Sequence, residues 1–75
     1  MQHQDMIRMA NQIASFFNGS GPEVAARDTA EHINKFWGAY MRAELLAHLA
    51  KGGEGLDPTV VKAASLIKKP QTAAV

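Results

Sequence analysis

Three histidines and seven carboxylates are the groups in this chain with which a metal could be bound or a proton moved. His3 stands near the N-terminus, and His32 and His48 are sixteen residues apart. Zinc sites place ligands at short fixed spacings, and a HExxH helix sets two histidines four apart. Neither pattern occurs, and no paired-carboxylate helix motif replaces it. Asp28 with His32, and Glu44 with His48, do stand four apart, a spacing that brings side chains together on a helix. They are read as surface contacts. A nucleophilic site needs a base and an orienting group beside the nucleophile. Ser15 falls on a polar helix face, Ser20 in a loop and Ser65 at the edge of an apolar stripe, none within such a signature. The glycines of GGEGLDP, residues 52–58, lack the phosphate-loop lysine pattern and a preceding strand, so they are read as a helix-to-helix connection.

The composition narrows the function classes further. There is no cysteine, hence no disulfide and no thiolate for catalysis or for an iron–sulfur cluster. Net charge is +1, and the basic residues are spread along the chain. That disfavours a nucleic-acid or anionic-membrane surface. MQHQDMIRMA lacks the charged start and apolar run of a secretory leader, and no run of eighteen apolar residues occurs. The cytoplasm is the expected compartment.

The elements that must position these groups are helices. NGSGP at 18–22, GGEGLDP at 52–58 and a tail from Pro70 divide the chain, and between them the apolar spacing has the helical period. The expectation is an all-α fold, a small bundle of three to four short helices at about 5–17, 22–37, 39–51 and 58–68. Residues 6–68 form one domain, with 1–5 and 70–75 as frayed tails. Asp5 is a plausible N-cap for the first helix, Pro22 suits N1 of the second, and Asp57-Pro58 announces the last. Glu31 and Lys35 have the favourable i,i+4 order on the solvated face of the second.

Helix one is apolar over half its circumference, more than the ~100° stripe one small core requires. After Gly38 the apolar positions again cover more than half the circle, with Arg42 between Leu46 and Leu49. A cation there must snorkel, meet a carboxylate or be satisfied by another chain. Glycine is unfavourable in a helix interior, so a break or sharp kink is expected within two residues of Gly38. Met, Phe, Trp and Arg are enriched at protein interfaces. The set expected to meet a partner is Met9, Phe16, Phe36, Trp37, Met41, Arg42, Leu45 and Leu49, centred on the corner from Trp37 to Arg42. Surplus apolar surface also predicts self-association of the isolated chain.

Three stretches, RMANQIASFF at 8–17, HINKFWGAYMRAELLAHL at 32–49 and GGEGLDPTVVKAASLI at 52–67, together resemble the small delta subunit of soluble, molybdenum-containing, NAD-dependent formate dehydrogenases. The resemblance spans roughly residues 6–68. The family's middle motif usually reads phenylalanine-tryptophan, an acidic residue, proline, arginine, methionine, arginine. Phe36, Trp37, Met41 and Arg42 match it, while Gly38, Ala39 and Tyr40 stand in place of the acid, the proline and the first arginine.

The resemblance implies a non-catalytic subunit with no cofactor of its own. It would sit in a complex whose alpha subunit oxidises formate to carbon dioxide at a bis-pterin molybdenum centre. Iron–sulfur clusters carry the electrons, and the beta subunit reduces NAD⁺ at FMN. The partners it implies are the alpha subunit and the beta or gamma subunits, while the charge pattern and the lack of a long apolar run point to no nucleic acid and no membrane. One alternative is a maturation factor that binds the catalytic subunit during molybdenum cofactor insertion. A second is a small helical DNA-binding domain, although a recognition helix should carry base-reading and phosphate-neutralising side chains and the leucine- and alanine-rich segment after Gly38 does not.

Overall fold

A computed structural model describes residues 3–69. Four α-helices follow one another with no strand among the described residues: α1 (His3–Phe17), α2 (Pro22–Phe36), α3 (Ala39–Ala50) and α4 (Pro58–Ala63). The expected all-α bundle is therefore what forms. Residues 3–5, expected in a frayed tail, instead make the first turn of α1. Asp5 is accordingly inside the helix rather than capping it. Its carboxylate accepts from Arg8 at 3.1 Å and lies in the first turn, where negative charge complements the dipole. The expectation of frayed ends at residues 1–2 and 70–75 lies outside the described residues.

Each helix is bounded by local chemistry. A short 3-10 turn at Asn18–Ser20 follows α1. Gly21 then takes φ +96° as the N-cap of α2, a region that a side chain disfavours, and Pro22 supplies the pre-set N1 residue. At the end of α3, Gly52 N–H donates to Leu49 O at 3.1 Å and Gly53 N–H to His48 O at 3.0 Å. This is the paired bonding of a Schellman C-cap, with Gly52 at φ +116° in the position that requires it. Asp57 accepts from Thr59 N–H at 2.8 Å as the N-cap of α4.

One core holds the helices together. Met6, Ala10 and Ala14 from α1 recur every fourth residue and are fully buried. Ala26, Ala30 and Ile33 from α2, Leu45 from α3, and Val60 and Ala63 from α4 join them, with Trp37 and Ile67 at the margin. The alanine-rich stripes of α1 and α2 let their backbones approach closely, and α2 packs most extensively on α4 and α1.

Three asparagines fasten the connections to this frame. Asn11 on α1 donates to Gly55 O at 2.9 Å and accepts from Asp57 N–H at 2.8 Å. Asn18 donates to the Asp57 carboxylate at 3.3 Å and accepts from the Thr59 hydroxyl. Asn34 on α2 donates to Leu66 O at 3.0 Å and accepts from Lys68 N–H at 2.7 Å. The last clasp explains a difference from expectation. The fourth helix does not run to 68 but ends at Ala63, continues as a 3-10 turn over Ala64–Leu66 and becomes extended at Ile67. Asn34 offers the backbone at 66 and 68 partners that compete with the helical ladder.

The chain does break at Gly38. Trp37 and Gly38 are both extended, at φ −86°, ψ 137° and φ −71°, ψ 168°. Glycine is not needed for this turn, since its φ is negative and nothing lies within 4 Å of where a Cβ would stand. Gly38 is an N-cap with no side chain to bond the first-turn N–H groups. The paired substitution Gly38→Asp, Ala39→Pro, which restores the acid-proline signal of the resembling family, adds a capping carboxylate and a pre-set N1. The extended Gly38 backbone is the conformation that a residue before proline prefers. Stability should rise by about 1 kcal/mol. Thermal unfolding followed by circular dichroism should show a midpoint higher by about 4–8 °C.

Candidate partner surface

The corner from Trp37 to Arg42 folds inward. Trp37 is 7% exposed and Leu45 is fully buried, so both side chains pack within this chain, Trp37 also forming part of a groove wall. Arg42 is half-buried, and its guanidinium bonds two carbonyls of its own chain. Nη1 donates to Trp37 O at 2.8 Å and Nε to Lys68 O at 3.2 Å. Trp37 O sits at the C-terminal end of α2, where unsatisfied carbonyls favour a cation. A cation within the apolar arc thus needs neither a carboxylate nor a second chain. It ties the end of α2 and the start of α3 to the C-terminal segment. Met41 and Leu49 also pack against the core, half-buried. The corner expected to meet a partner thus makes these contacts within its own chain.

What faces outward lies on the flank of α1 and the end of α2. Phe16 is 80% and Phe36 69% exposed. Four rings run in sequence across the two helices: Phe16 to Phe17 with centroids 5.0 Å apart, Phe17 to His32 at 6.4 Å, and His32 to Phe36 at 4.8 Å. Beside them a groove of about 430 Å³ is lined by Met9, Ile13, Phe16, Phe17, His32 and Trp37, with Gln12 among them. The broad apolar arc of α1 accounts for it. Met6, Ala10 and Ala14 face the core, and Met9, Ile13 and Phe16 spill onto the adjacent side. Of the residues expected to meet a partner, Met9, Phe16 and Trp37 line this groove and Phe36 extends its aromatic rim. Phe17 and His32 belong to it but were not expected. The i,i+4 spacing of His32 and Phe36 was the available signal. Tyr40, at 82% exposed, is a further outward aromatic.

Among the described residues the polar groups form none of the constellations sought in the sequence. Ser15, Ser20 and Ser65 are all exposed, and no hydrogen bond links any of them to a histidine. His32 stacks with Phe36 rather than bonding Asp28, whose carboxylate accepts from Arg27 at 3.5 Å. Among the described residues no ion pair joins Glu31 to Lys35. Glu44 and His48 both turn to His3, which reaches them from α1. Among the described residues no group of three or more His, Asp or Glu side chains is placed to hold a metal ion. No described helix is long and apolar enough to cross a membrane.

The described residues thus form four helices with an exposed aromatic groove on α1 and α2. The sequence matches the family model described as the NADH-dependent formate dehydrogenase delta subunit, FdsD, over residues 5–64, and the chain belongs to that family. No match was found among curated proteins.

Proposed function

We propose that this chain is a non-catalytic accessory subunit that binds a multisubunit NAD-dependent formate dehydrogenase in the cytoplasm and stabilises it or assists its assembly. The observation that carries the reading, beside family membership, is the aromatic groove between α1 and α2. Rings with 69–80% exposure beside an apolar groove are the anchors from which interface energy is built. On this reading the chain holds none of the redox cofactors of the complex. The bis-pterin molybdenum, iron–sulfur clusters, FMN and NAD belong to the other subunits, since nothing in the present chain offers thiolates or a phosphate loop. The alpha subunit is the first partner proposed, with beta or gamma beside it.

Co-expression of a tagged chain with the alpha and beta subunits tests this. The expected result is recovery in constant stoichiometry with enzyme that reduces NAD⁺ with formate. Recovery only with cofactor-free alpha subunit would replace the accessory role by one in maturation. Absence from every formate dehydrogenase species would overturn the proposal.

A further inference from the structure

The first turn of α1 meets the last turns of α3 through two imidazoles whose outer nitrogens are already committed. His3 Nδ1 lies 3.2 Å from Glu44 Oε2, and His48 Nε2 lies 2.7 Å from Glu54 O. An ionised carboxylate and a backbone carbonyl only accept, so both of these ring nitrogens carry the proton and donate. In a neutral imidazole the other nitrogen is then an acceptor. Those two remaining nitrogens, His3 Nε2 and His48 Nδ1, face each other at 3.0 Å, with ring centroids 4.7 Å apart and planes inclined by 73°. Two lone pairs at this distance repel unless a cation stands between them. A proton, converting one ring to imidazolium, is one solution. A metal ion is the other.

We propose that His3 and His48 form a two-imidazole site for a divalent transition-metal ion, completed by water. Two nitrogens each about 2.1 Å from one ion lie about 3.0 Å apart when the angle at the ion is near 90°, the angle of six-coordinate or square-planar ions. The separation present therefore suits Ni²⁺ or Cu²⁺ better than tetrahedral Zn²⁺, whose wider angle needs about 3.4 Å. The outer contacts are those that support metal-bound histidine: a carboxylate on one ring and a backbone carbonyl on the other, fixing tautomer and orientation. Imidazole nitrogen also selects against Mg²⁺ and Ca²⁺, which prefer oxygen. An ion here joins residues 45 positions apart. It would fasten the start of α1 to α3, and through Glu54 to the loop that leads into α4.

Titration calorimetry of the full chain with NiCl₂ tests the site, using His3→Ala, His48→Ala and Glu44→Gln, with His32→Ala as the control. The expected result is one ion per chain, unaffected by excess MgCl₂. His3→Ala and His48→Ala should each weaken binding at least about tenfold, and Glu44→Gln about tenfold through loss of the supporting carboxylate. His32→Ala should leave it unchanged. The ion should also raise the unfolding midpoint of the unaltered chain but not of His48→Ala. His48→Ala is the decisive variant, because it leaves His3 and its neighbours as alternative ligands. A His48→Ala chain that remains helical by circular dichroism and binds Ni²⁺ within about twofold of the unaltered one overturns the proposal.

Discussion

Leu45→Ala should remove most of the stability of the isolated chain. Leu45 is the only fully buried side chain of α3, so it is the main anchor of that helix in the common core, with Met41, Leu46 and Leu49 packed half-buried beside it. Truncating a buried leucine to alanine costs about 2–5 kcal/mol, from lost transfer energy and the cavity left behind. A single core in a chain this short supplies about 3–5 kcal/mol in all. The two figures are the same size, and the variant should be largely unfolded under conditions in which the parent is folded. Leu46→Ala gives the contrast, since Leu46 is only half-buried and should cost about 1 kcal/mol. Urea unfolding followed by helical signal distinguishes the two. Equal midpoints for Leu45→Ala and the parent would mean that α3 is not held by this side chain. The same measurement bears on Arg42, whose bonds to Trp37 O and Lys68 O depend on α3 being docked.

The difference between what could and could not be read in the sequence is a difference of range. Pro22, Asp57-Pro58 and the glycines after Lys51 act on residues within a turn of themselves, and the element boundaries they imply are found. The break at Gly38 was legible for the same reason. The end of α4 was not, because Asn34 reaches Leu66 and Lys68 from another helix. Nor was the fate of Arg42, whose second acceptor is 26 residues away. Nor was the place of His3 in α1, because nothing near it in sequence shows the contact with Glu44 and His48.

The partner surface divides along the same line. A helix whose apolar arc exceeds half its circumference does not reveal which part faces inward. In α3 the inward part centres on Leu45, and Tyr40, 140° away at 100° per residue, is left in solvent. In α1 the inward part centres on Met6, Ala10 and Ala14, which puts Phe16 outside. Residue types enriched at interfaces are therefore a mixed guide here. Leu45 is used by this chain for itself, Trp37 is shared between the core margin and the groove, and Phe16 and Phe36 are left over.

The leftover pair carries the second large effect. Phe16→Ser with Phe36→Ser should leave the helices and their unfolding midpoint nearly unchanged and abolish stable association with formate dehydrogenase. The fold is spared because both rings lie mostly in solvent. Phe16 is at the end of α1 and Phe36 at the end of α2, where a change of helix propensity costs only a few tenths of a kcal/mol. Association is not spared, because burying an aromatic anchor is worth about 2 kcal/mol or more when it is a hot spot. Two such anchors correspond to about a thousandfold in Kd. Val61→Ser tests whether the groove matters or merely exposed apolar area, since Val61 is 47% exposed but does not line the groove. Pull-down of the alpha and beta subunits with each tagged variant should show loss for the phenylalanine pair and retention for Val61→Ser. Retention by the doubly substituted chain, folded and at parental yield, would move the interface away from α1 and α2. The outward aromatic left to examine would then be Tyr40, at the start of α3.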